Sequence, residues 1–166
     1  SSFNPTVSDT GAVRIDVASS VNDAFTLRQG TLLVGHSNAL GVSSGTLRVG
    51  DNWSAAGANA RLLISAANVT VSKNICVYDI AGHEVNAVFG GTHTSGSSTF
   101  SGAIALQRSA TLTAAAGGTD TFSGLITGSG RTATLSGDGN VKVLAASAGI
   151  SDVNYTIGAG GGRMLG

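Results

Sequence analysis

Charge is what this sequence has least of. Only 11% of its 166 residues are Asp, Glu, Lys or Arg, against about 25% in an ordinary globular chain. Its surface must therefore be built from Ser, Thr, Asn and small apolar side chains. The nine basic and nine acidic residues cancel and are scattered without a run of like sign, so nothing attracts a phosphate backbone or an anionic membrane. Nucleic acid is not an expected partner. The 42% hydrophobic share argues against disorder, which needs low hydrophobicity together with high net charge.

Cysteine and long apolar runs are scarce too. The single Cys76 excludes an intrachain disulfide. In Asn74-Ile75-Cys76-Val77-Tyr78 it alternates away from Ile75 and Val77, and it reads as a packed or half-exposed small residue. A reactive thiol would need an electropositive setting, and only Lys73 is close in sequence. The longest apolar stretches, such as Leu32-Leu33-Val34 and Val143-Leu144-Ala145-Ala146, fall far short of the roughly 20 residues of a spanning helix. No transmembrane segment is expected. Ser1-Ser2-Phe3-Asn4-Pro5 lacks the basic and apolar regions of a signal peptide, which suits a processed chain or a cytosolic one. Helix signals fail as well: from Trp53 to Leu63 the chain is Ala-rich, but Gly57 and Asn59 interrupt it and no apolar stripe emerges.

What is abundant is glycine, at 25 residues, placed between short alternating or β-branched runs. These include Ala12 to Val17, Thr46 to Val49, Thr99 to Leu106, Ala110 to Thr113, Thr121 to Ile126 and Val141 to Leu144, separated by clusters such as Gly50-Asp51-Asn52 and Ala116-Gly117-Gly118. Such clusters supply positive φ and tight turns. Thr99-Phe100-Ser101-Gly102 returns as Thr121-Phe122-Ser123-Gly124, 22 positions later. Self-similarity at that period marks a solenoid, whose rungs cannot bury an apolar face without a neighbour. Phe100 is then expected over Phe122 and Ile104 over Ile126, with Ala110-Thr111-Leu112-Thr113 matched to Thr132-Ala133-Thr134-Leu135. Gly30-Thr31-Leu32-Leu33-Val34-Gly35 and Gly45-Thr46-Leu47-Arg48-Val49-Gly50 repeat at a spacing of 15, which suggests two faces of adjoining rungs or a shortened rung. Rungs of roughly 20 to 24 residues give about seven coils. One domain over 1–166 accounts for the chain: 1–24 as an N-terminal pairing or capping strand, 25–144 as the repeat body and 145–166 as an irregular last rung.

The run from Phe25 to Gly35, the two Thr-Phe-Ser-Gly units and Gly137-Asp138-Gly139-Asn140-Val141 resemble the autotransporter-associated β-strand repeat, also called the passenger-associated transport repeat. The resemblance covers about Phe25 to Leu144. It implies an all-β, right-handed parallel β-helix that is secreted or displayed on a bacterial cell surface. Tyr155 to Arg163 resembles a rung of that family that has lost residues.

Few residues invite chemistry. Asp120 and Asp138 are the best vertical pair of carboxylates, but their separation of 18 is out of phase with a 22-residue rung, and both read as solvated turn residues. Gly137-Asp138-Gly139-Asn140 lacks the calcium-binding nonapeptide pattern. His36, His83 and His93 lack the spacing of a zinc helix, and each reads as a loop or outward strand residue. No catalytic residue, cofactor-binding residue or metal ligand is assigned, and no cofactor is expected. Trp53, in a turn of Gly, Asp, Asn and Ser, is either an exposed platform for stacking a glycan or a lid over a rung.

The ends carry the remaining argument. An open solenoid end presents unpaired N–H and C=O groups and an apolar cross-section, and neither terminus shows an obvious helical or charged cap. Val13, Ile15 and Val17 alternate in a strand able to pair with another molecule, and Met164 and Leu165 form an apolar pair near the other end. The expected function is structural and non-catalytic: extracellular length and surface. Its partners would be copies of itself joined head to tail into a filament, or adjoining rungs of a longer surface-displayed passenger. The competing reading is an adhesin domain or β-helix that binds surface glycans or cleaves polysaccharide.

Overall fold

The computed structural model describes residues 6–20, 24–41, 45–144 and 153–166. Ser1 to Pro5, Ala145, Ala146 and the first part of the expected irregular last rung lie outside the described residues. Short strands separated by glycine-bearing turns coil into three stacked sheets. The first face stacks β1 (Thr6–Val7), β3 (Phe25–Leu27), β5 (Thr46–Val49), β8 (Asn74–Val77), β11 (Ile104–Leu106) and β14 (Ile126–Thr127). The second stacks β2 (Ala12–Ile15), β4 (Gly30–Val34), β6 (Ala58–Ile64), β9 (Val85–Gly91), β12 (Ala110–Ala114), β15 (Thr132–Gly137) and β17 (Asn154–Gly160). The third stacks β7 (Thr70–Val71), β10 (Ser97–Phe100), β13 (Thr119–Phe122), β16 (Asn140–Val143) and β18 (Arg163–Leu165). Every neighbouring pair is parallel, as between β10 and β13, β12 and β15, and β6 and β9. The chain is a parallel β-solenoid of about six turns, with no helix among the described residues.

Alternation within each strand decides what the stack buries. In β4 and β12 every second residue is buried, so like positions form columns through the interior. One column on the second face runs Leu32, Leu62, Phe89, Leu112 and Leu135, all fully or almost fully buried. On the third face Phe100 lies over Phe122, with ring centroids 4.8 Å apart and planes 5° from parallel. Offset stacking of this kind adds to the burial of each ring. Ile104 likewise pairs with Ile126. The two Gly-Thr-Leu runs belong to β4 and β5, on different faces of adjoining rungs.

The tetrapeptide repeat has a mechanical reason. Thr99 and Thr121 stand outward and half-buried, Phe100 and Phe122 fill the core, and the glycine turns the corner. A Cβ on Gly124 would collide with the carbonyl oxygen of Gly102 in the rung below, and one on Gly102 would collide with that of Lys73. The backbones stack too closely at this corner for any side chain. Thr70-Val71-Ser72-Lys73 is a degenerate earlier copy, since Thr70 and Val71 pair with Thr99 and Phe100. Lys73 departs from the glycine rule and is itself buried, its Nζ donating to the Leu40 carbonyl at 2.9 Å.

Rung length varies more than the sequence pattern predicts. Phe100 to Phe122 is a step of 22, but Leu32 to Leu62 is 30 and Leu62 to Phe89 is 27. The added residues are turns that bulge outward after Val49 and Val77, so the chain closes about six coils rather than seven. A one-residue difference also corrects the match expected on the second face. Ala110 pairs with Ala133 and Leu112 with Leu135, because the corner before β15 holds one residue more.

Candidate functional site

The turn that carries Trp53 is braced from both neighbouring rungs. From below, Arg28 Nε donates to both oxygens of Asp51 at 2.9 Å, and Gln29 Oε1 accepts from the Ala55 amide at 3.1 Å. Within the turn, Asp51 Oδ1 accepts from the Trp53 amide at 2.9 Å. Ser54 Oγ accepts from the Asp51 amide and donates to the Arg28 carbonyl, both at 3.0 Å. From above, His83 Nδ1 donates to the Ser54 carbonyl at 2.8 Å. These contacts use Asp and Ser side chains as turn-formers, and they hold the indole out rather than in: Trp53 is 77% exposed. It is therefore not a lid over a rung.

Beside Trp53 lies a cleft of about 280 Å³, lined also by Arg48, Asp51, Asn52, Tyr78 and Ile80. Arg48 points outward from β5, and its guanidinium lies 5.8 Å from the centre of the Tyr78 ring, within cation–π range. Cys76 follows Arg48 in register on the neighbouring strand, half-exposed while Ile75 and Val77 are buried. Burial pushes its thiol pKa up, against opposing pulls from Tyr78 and the Arg48 charge. That is the reverse of what a nucleophilic thiolate needs.

Two sequence readings meet inside the stack. His93 lies in the loop after β9, as expected of a loop residue, but is buried there, and Asp120 is not a solvated turn residue. Asp120 is fully buried, His93 nearly so, and Nε2 of the imidazole stands 3.3 Å from Asp120 Oδ1. His93 Nδ1 is 3.1 Å from the Ser95 carbonyl. Asp120 Oδ2 has no hydrogen-bond partner, and burial raises the carboxyl to a pKa of about 6, against the lowering effect of His93. Gly91 makes room for the pair, since a Cβ there would run into both side chains. Asp138 is exposed and is not brought to Asp120, whose partner on the next rung is Val141. His36 is exposed in a turn, its Nδ1 accepting from the Asn38 amide at 3.0 Å.

At the ends, Val13 and Ile15 occupy inward columns, paired with Leu32 and Val34, and Leu165 occupies the column of Val143. Val13 and Leu165 are 44% and 46% exposed, with no rung over them among the described residues. Val17 lies beyond the end of β2, and Met164 stands in the outward register of Lys142. The sequence shows no charged cap, but the structure has one. Arg163 sits in the inward column of Val141, and its guanidinium donates to the carbonyls of Gly139 at 2.8 Å, Gly162 at 3.0 Å, Ala159 at 3.1 Å and Gly137.

Fold and site together define a narrow β-solenoid bearing one braced aromatic turn, a buried His–Asp pair and incompletely covered end strands. No protein-family model matches the sequence, and comparison with curated proteins and with solved structures found no match.

Proposed function

We propose that this chain is a structural, non-catalytic β-solenoid that supplies length and surface outside the cell, with copies joined head to tail through the second face. The observation that carries the reading is the pair of unsatisfied ends on one continuous sheet. Val13 on β2 and Ile157 on β17 are inward-column residues, yet 44% and 55% exposed. Placing β2 of one copy on β17 of another continues the register, with Ile157 against Val13 and the large Tyr155 against Gly11. Parallel edge strands gain main-chain hydrogen bonds from such addition. A non-catalytic role is supported by Asp120, whose perturbed carboxyl is sealed from any substrate. The extracellular assignment rests on the low charge and on the resemblance to autotransporter passenger repeats, whose rungs a longer parent chain could also continue.

Sedimentation across a concentration series tests the joint. The wild-type chain should grow into one-dimensional polymers, and Val13→Lys or Ile157→Lys should hold it monomeric, because a lysine in an inward end column cannot be buried unpaired. A wild-type chain that stays monomeric throughout sinks the proposal.

A further inference from the structure

The geometry points to a glycan-binding site at the Trp53 cleft, selective for sugars that carry a carboxylate, such as uronic acids. The phenylalanines of the described strands are buried, but Trp53 stands in solvent on a turn whose backbone is braced by bonds to two other rungs. An exposed indole carried on a braced turn offers its face to the C–H face of a pyranose without a rearrangement of the backbone beneath it. The cleft of about 280 Å³ falls just below the usual range of small-ligand sites, roughly 300 to 1,000 Å³, and suits a single ring rather than a bulky ligand.

Charge then selects among sugars. Arg28 is paired with Asp51, and Arg108 and Arg131 both approach Asp79. Arg48 has no ion pair or hydrogen bond among the described residues, only the Tyr78 ring beneath it. The one carboxylate in the cleft, Asp51, is occupied by Arg28 and the Trp53 amide. The site therefore offers an aromatic face and an unneutralised guanidinium, which together match a ring bearing a carboxylate. Beyond Arg48 the outward column continues through Cys76 and Ala105. Its small side chains leave room for a second sugar along the stack.

Trp53 is the only tryptophan, so its emission reports this site alone. Oligogalacturonate titrated into the full chain should give a saturable change in emission, with a neutral cello-oligosaccharide binding about tenfold more weakly for want of the charge-assisted contact. Arg48→Gln should abolish the difference between the two sugars. Trp53→Ala, followed by calorimetry, should abolish binding of both with an unchanged far-ultraviolet circular dichroism spectrum. No saturable response to oligogalacturonate, equal affinity for the neutral sugar, or undiminished preference in Arg48→Gln would each overturn the assignment. The cleft sits in mid-stack, so these results are independent of whether the ends associate.

Discussion

Asp120 is the residue whose environment is most at odds with its chemistry. Its side chain is fully enclosed, one oxygen faces His93 and the other has no partner. Burial lifts its pKa to about 6, above the value of about 3.9 for an exposed aspartate. The folded state therefore holds this proton more tightly than the unfolded chain. The stability it contributes is fully present below the unfolded pKa and is lost as pH rises through about 6. Urea unfolding should show a fall on the order of 1 to 3 kcal/mol between pH 4 and pH 7 from this group, and Asp120→Asn should flatten that fall. An identical pH slope in the variant would show that the carboxyl stays ionised. Neither partner was legible in the sequence, because a single Asp in Thr119-Asp120-Thr121 or a single His after Gly90-Gly91 looks like any solvated turn residue. The run was read as starting at Thr121, whereas β13 starts at Thr119, which puts Asp120 on the inward face with Phe122 and opposite the buried Ser98. Trp53 was more legible, since its Asp, Asn and Ser neighbours are turn-formers, but the bracing by Arg28 and His83 comes from rungs distant in sequence.

At the scale of the element, the rung is held by columns of like residues rather than by any strand alone. Strands of two to seven residues are too short to be stable in isolation. The stacked Phe100 and Phe122 are the clearest unit of that support. Each change to Ala should cost about 3 to 5 kcal/mol, and a double-mutant cycle by denaturant unfolding should give a coupling of about 0.5 to 1.5 kcal/mol. Strict additivity would mean that the rings pack independently. The 22-residue repeat made this pairing legible because both copies are intact. The continuous run from Thr99 to Leu106 was read as one segment, whereas the chain breaks it into β10 and β11. The corner between them is only the three residues Ser101 to Ala103, with a close approach of backbones at Gly102, and is too short to stand out as a cluster of turn residues. The longer middle rungs were hidden for a related reason: the turn around Trp53 extends outward and carries no repeat.

At the scale of the molecule, the second face runs unbroken from β2 to β17, and the account stands on its two edges being complementary. Both edges present parallel-strand hydrogen-bonding groups and uncovered apolar columns, and Arg163 answers the Ala159 carbonyl near the end of β17 and the Gly139 carbonyl at the corner before β16. A continuous column of Leu and Phe through the centre would then extend from one copy to the next with the same rung spacing of about 4.8 Å. Continuing the register puts the outward Thr156 of one copy beside Ala12 of the next, at a distance that a disulfide can bridge. The direct measurement uses two chains in a Cys76→Ser background, one with Ala12→Cys and one with Thr156→Cys, each reduced and then oxidised by air either alone or after the two are mixed. Head-to-tail stacking predicts a covalent dimer in the mixture and none in either chain alone; no dimer in the mixture, or dimers of Ala12→Cys with itself, would contradict it.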